Sequence, residues 1–97
     1  MELLTYSYPA TEVITSRAHV GVVASGDLEV LLEPAAGAQS TVTVTTSVDG
    51  FGAVWQHVLD RFFSRFHGAA VIEINDFGAT PGLVALRLAQ AVEALQP

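Results

Sequence analysis

The feature that most constrains this chain is a change of hydrophobic period near residue 50. Before it, apolar residues recur at every second position, the period of a half-buried strand. Leu4, Tyr6 and Tyr8 alternate with Thr5 and Ser7 until Pro9 ends the run. Within residues 17–24, Val20 and Val22 share one face, with His19, Gly21 and Val23 on the other. Leu28, Val30 and Leu32 alternate with Glu29 and Glu33 before Pro34. Thr41 to Thr46 is β-branched throughout, with Val42 and Val44 pointing to one side. The short Ser25-Gly26-Asp27 connection predicts a tight hairpin between the second and third runs, and AAGAQS reads as a small-residue loop.

Beyond residue 50 the period becomes helical. Val54, Trp55, Val58, Leu59, Phe62, Phe63 and Phe66 form one wide apolar stripe. Asp49 as N-cap and Gly68 as C′ residue would bound a helix from about 51 to 67. A short strand follows from Ala70 to Asn75. Thr80-Pro81 then reads as a cap and N1 proline for a last helix, which buries Val84, Leu88, Val92 and Leu95. The order β-β-β-β-α-β-α predicts an α+β domain spanning 1–97: a mixed sheet of about five strands with two helices on one face. A four-helix carrier bundle has a different order.

Composition narrows the function classes. The chain is 51% hydrophobic and 14% charged, enough to bury a core and unlike a disordered tail. Ten acids stand against four bases, all arginine (Arg17, Arg61, Arg65, Arg87), for a net charge of −6. Such a charge repels phosphate backbones and argues against nucleic-acid binding. Without cysteine there is no disulfide framework, thiolate metal site or cysteine nucleophile. No secretory signal or membrane-length apolar run is legible, so a soluble cytoplasmic protein is expected.

Catalytic candidates are few. His19, His57 and His67 are scattered without ligand spacing, and the acids form no calcium loop, so no metal site is expected. His67 fits a helix C-terminus, where positive charge is favourable. Asp76-Phe77-Gly78 matches a kinase tripeptide, but no other kinase motif is present, and it reads as a turn into Thr80. His57, Arg61, Ser64 and Arg65 share the helix face opposite the apolar stripe. Arg61 and Arg65 repel at four-residue spacing, so this face is either a patch for phosphates or a partner, or simply a solvated surface. Ser25 lies between two small residues with Asp27 two places on. It lacks an adjacent base and the G-x-S-x-G elbow, which argues against a serine hydrolase. Two readings stay open: a plain turn, or an exposed serine that a separate enzyme modifies.

Three segments carry a resemblance across the whole chain: SGDLEVLLEP at 25–34, TSVDGFG at 46–52 and INDFGATPGLVALRLAQAVEAL at 74–95. The sequence resembles the acyl carrier (delta) subunits of bacterial malonate decarboxylases and, more distantly, those of citrate lyases; DFGATPG points to the malonate branch. The resemblance implies a non-catalytic carrier. Its 2′-(5″-phosphoribosyl)-3′-dephospho-coenzyme A arm would be joined through a phosphodiester to the serine of Ser-Gly-Asp, here Ser25. The arm's thiol would carry acetyl and malonyl groups between an acyl transferase (alpha) subunit and a decarboxylase (beta, gamma) pair. A prosthetic-group transferase and a malonyl transferase would engage it transiently. Gly26 and Asp27 would then serve recognition, and Arg61 and Arg65 the arm's phosphates or a partner. Two other readings are a citrate lyase-type carrier with citryl cargo and an unmodified structural adaptor. An enzyme is third, lacking a legible base, metal site or phosphate loop.

Overall fold

The computed structural model describes residues 1–95. Five strands and two helices follow in the expected order: β1 (Glu2–Pro9), β2 (Ala18–Gly21), β3 (Leu28–Pro34), β4 (Gln39–Thr46), α1 (Gly52–Phe63), β5 (Ala70–Asp76) and α2 (Pro81–Ala94). The sheet runs β1-β4-β5-β3-β2, antiparallel except for the β4–β5 pair. Parallel neighbours need a crossover, and α1 supplies it. The result is the mixed sheet of an α+β fold, not a helical bundle.

Alternation decides which face each residue takes. Leu28, Val30 and Leu32 of β3, Val42 and Val44 of β4, and Ile72 and Ile74 of β5 are fully buried beneath Trp55, Leu59, Phe63, Val84 and Leu88. The opposite face carries Thr5, Thr41, Thr43, Val71 and Glu73, and the two helices leave it uncovered. On α2, Ala91 is fully buried, whereas Val92 and Leu95 are only half-buried at the rim.

Two expected boundaries differ, each for a backbone reason. The second run ends at Gly21 rather than continuing to Ala24, so Val22 does not share a strand face with Val20. Gly21 has φ of +83°, and a Cβ there would run into the Leu28 carbonyl oxygen. Val22 and Val23 are consequently loop residues, both 57% exposed.

Helix α1 ends at Phe63, four residues before the expected end. Phe51, not Asp49, is its N-cap and makes no side-chain cap bond; Asp49 instead pairs with the N-terminal amine at 3.1 Å. At the other end the Arg65 and Phe66 amides both donate to the Phe62 carbonyl. Phe66 folds back to stack on Phe62, with ring centroids 5.2 Å apart, so it joins the apolar cluster from outside the helix. Gly68 is therefore not a helix C′ residue and has no positive φ. It is a buried contact point, where a Cβ would crowd Ile14 and Phe66. The His67 carbonyl accepts from the Thr11 and Glu12 amides, tying this corner to the β1–β2 connection.

Candidate functional site

Ser25 lies at the tip of the β2–β3 loop and is exposed. The Asp27 amide donates to the Ala24 carbonyl at 3.0 Å, closing a turn with Ser25 and Gly26 at its centre. Gly26 takes φ of +76°, the left-handed value that the third position of a type II turn requires. A Cβ at Gly26 would meet nothing within 4 Å, so the space beside Ser25 is open.

The turn is held from the β5–α2 connection. Leu28 pairs with Asp76 at the end of the β3–β5 ladder, and two further bonds extend it. The Gly26 amide donates to the Phe77 carbonyl at 2.7 Å, and the Phe77 amide donates to the Asp27 carbonyl at 2.9 Å. Asp76 shapes the segment that makes these contacts. Its buried carboxylate accepts from Thr46 Oγ1 at 2.8 Å and from the Gly78 and Ala79 amides at 3.3 and 3.0 Å. The kinase-like tripeptide is thus a turn leading into Thr80, whose side chain caps Leu83 of α2.

Asp27 is fixed by its side chain as well. Its Oδ1 accepts from the Leu28 amide at 2.7 Å and from Arg87 Nε at 3.2 Å, and its Oδ2 accepts from Arg87 Nη2 at 2.9 Å. This fork-to-carboxylate pair orients both groups at once, and Arg87 Nη1 also donates to Gln90 Oε1. The Arg87 hydrogen bonds, followed by the Leu28 amide, hold the Asp27 carboxyl below its ordinary pKa. An ionised carboxylate already bound to a guanidinium is a poor general base. No described residue hydrogen-bonds the Ser25 hydroxyl, so the turn exposes it with no base beside it.

The other candidates fall elsewhere. His19 meets Glu29 at 2.8 Å, and Glu29 also accepts from Asn75 at 3.0 Å. The Asn75 bond is the main cause holding the Glu29 carboxyl below its ordinary value. His67 is exposed beyond the helix end. Arg61 and Arg65, the latter also past the end of α1, are brought together with His57 on a groove of about 420 Å³ between α1 and the start of α2. Beside it, Phe51, Trp55 and Gly78 line an apolar pocket of about 270 Å³. Among the described residues no three His, Cys, Asp or Glu side chains gather as metal ligands, and no helix is long and apolar enough to cross a membrane.

Sequence reading missed Arg87 as a site residue. It carries the only charge between Pro81 and Val92, in a largely apolar helix, which is the signal of a side chain with a specific partner. That partner lies sixty residues away in sequence, beyond the reach of local spacing. The contribution of Phe77 is purely backbone and leaves no side-chain signature.

Comparison with known proteins gives a consistent picture. The family described as malonate decarboxylase delta subunit (MdcD) matches residues 15–95. The malonate decarboxylase acyl carrier protein of Pseudomonas paraeruginosa is 54% identical over 94 residues, covering 96% of this chain and 95% of its own. That of Azotobacter vinelandii is 48% identical over the same shares. A chain in the crystal structure of a Pseudomonas malonate decarboxylase hetero-tetramer in complex with malonate superposes with a TM-score of 0.94 at 47% identity, covering 99% of this chain and 100% of that one.

Proposed function

Since this chain belongs to the malonate decarboxylase delta-subunit family of acyl carrier proteins, we propose that it is the acyl carrier of such an enzyme and that Ser25 bears its prosthetic arm. The observation that carries this reading is an exposed hydroxyl on a turn fixed from the opposite side and supplied with no base of its own. An acceptor for a separate modifying enzyme needs that combination. It must be reachable and stationary, and activation can come from the transferase.

The surroundings of Ser25 fit a phosphodiester-linked group. Gly26 leaves open space beside the hydroxyl, and the acid two residues on is neutralised by Arg87 rather than facing the incoming phosphate alone. In attachment, the Ser25 Oγ–phosphorus bond forms as the bond to a diphosphate leaving group of a triphosphate donor breaks. The hydroxyl proton passes to the modifying enzyme. The 2′-(5″-phosphoribosyl)-3′-dephospho-coenzyme A arm supplies a terminal thiol on which acetyl and malonyl are held as thioesters.

The chain's own residues position this group and perform no bond chemistry on the cargo. The absence of cysteine leaves no competing thiol on the carrier. Tethering keeps the cargo at high local concentration for the transferase and decarboxylase subunits of the complex. Asp27 and Arg87 act as positioning residues that keep the turn in one conformation.

Intact mass and peptide mapping of the protein made with its modifying enzymes test this reading. A mass increase equal to the arm, located on Ser25 and abolished by S25A, is the expected result. An unmodified protein in the presence of active modifying enzymes overturns it and leaves a structural adaptor.

A further inference from the structure

The pocket near the Ser25 turn and the arginine groove lie side by side and share part of their lining. Gly78 lines the apolar pocket, and a Cβ there would lie 4.0 Å from the Gly26 amide nitrogen, so the pocket begins against the turn that carries Ser25. Val58 and Pro81 line both the pocket and the groove. Taken together, pocket and groove form a trough from Gly78, past Trp55 and Val58, to Arg61 and Arg65.

Its chemistry changes along that path. The first part is apolar and aromatic, with Val48, Phe51 and Val54 at the rim, each at least 38% exposed. The second part is cationic. In a chain of net charge −6, Arg17 pairs with Glu33 and Arg87 with Asp27, whereas Arg61 and Arg65 have no carboxylate within 4.0 Å among the described residues. Gly82, at the N-terminal end of α2, borders the same groove and adds the positive end of the helix dipole.

Resting on the reading of Ser25 given above, we propose that this trough binds the nucleotide half of the carrier's own arm, with the adenine in the Phe51–Trp55 pocket and the diphosphate against Arg61 and Arg65. The order of groups supports the assignment. Outward from the serine, the arm presents a phosphoribosyl unit, an adenosine, a diphosphate and then pantetheine with its thiol. A flat base needs an apolar pocket before a dianion needs guanidinium forks, and the trough offers them in that order from the Ser25 end. With the nucleotide half seated, only the pantetheine end sweeps solution. The effective tether is shorter, and less ordering is required when the thioester enters a partner's site.

The test compares the full chain without its arm and with the arm attached, the attachment verified on Ser25 by intact mass. Expected are ¹H–¹⁵N shift changes at the Trp55 indole and at the Phe51, Gly78 and Arg61 amides, with the ³¹P resonances of the diphosphate displaced from those of free 3′-dephospho-coenzyme A. In R61A/R65A carrying the arm, the ³¹P displacement and the Trp55 change should be lost. Changes confined to residues 22–27 in the arm-bearing protein would overturn the proposal, because the arm is then free in solution. So would changes that survive R61A/R65A, or changes in the trough that appear only when a transferase or decarboxylase subunit is added. If the mass shows no arm on Ser25, it is the attachment reading that has failed, and this proposal falls with it.

Discussion

At the scale of single residues, the Asp27–Arg87 pair shows how a short motif depends on a distant side chain. In the sequence, Asp27 reads as part of a recognition triplet with Ser25 and Gly26. In the fold, both of its carboxylate oxygens are occupied by this chain's own donors. On the proposed attachment at Ser25, Asp27 would hold the turn through these bonds. D27N and R87A should both slow the gain of the arm on Ser25, measured by mass against time with the modifying transferase, while the circular-dichroism spectrum stays unchanged. R87K should rescue only in part, because an ammonium cannot span both oxygens. A D27N protein modified at the normal rate would remove the positioning role. The pair also carries a pH signature. The folded carboxyl is held below its ordinary 3.8, so the pair stabilises the fold above that value and the contribution is lost as pH falls through the lower folded one. The stability difference between the native protein and D27N should be constant near neutral pH and vanish on acidification past 3.8, followed by denaturant midpoints.

Among the elements, those whose ends are marked by a cap or a proline are legible in the sequence, and those whose apolar spacing runs on past the end are not. Helix α2 was readable because Thr80 and Pro81 are adjacent and the cap is made within three residues, to Leu83. T80A should cost about 1 kcal/mol of stability, read from the shift of the unfolding midpoint, since the Leu83 amide loses its acceptor. Strand β3 was readable because Pro34 stops it and strict alternation buries Leu28, Val30 and Leu32. Helix α1 looked four residues longer because Phe66 continues the apolar spacing. It does so by folding back onto Phe62, and a spacing count cannot separate a helical residue from one returning to the same cluster. The candidate site divides in the same way. Ser25 and its turn follow from Gly26, whereas the support from Phe77 and Arg87 depends on β5 lying beside β3. No local pattern states that pairing.

For the molecule as a whole, the place of Ser25 on a β-hairpin turn separates this carrier from bundles in which a serine opens a helix. The surface around Ser25 comes from a strand end, a β5–α2 connection and α2, and the serine is not followed by leucine at a helix start. Incubation with coenzyme A and a phosphopantetheinyl transferase of helical carriers should leave the mass unchanged, whereas a phosphopantetheine adduct on Ser25 would show that such enzymes read the tripeptide alone. A single core joins both helices to the inner face of the sheet. β5 lies at its centre, between β4 and β3, although it is the last strand in sequence.

That order has a consequence for the timing of synthesis. As the chain leaves the ribosome, β1 to β4 emerge first, but β4 and β3 have no shared neighbour until β5 arrives to separate and join them. The Ser25 turn is translated early and braced late, by Phe77 and then by Arg87. A nascent or truncated chain that stops short of α2 displays the serine without the Arg87 brace. On the proposed attachment at Ser25, the Arg87 brace would favour modification of chains folded through α2 over shorter ones.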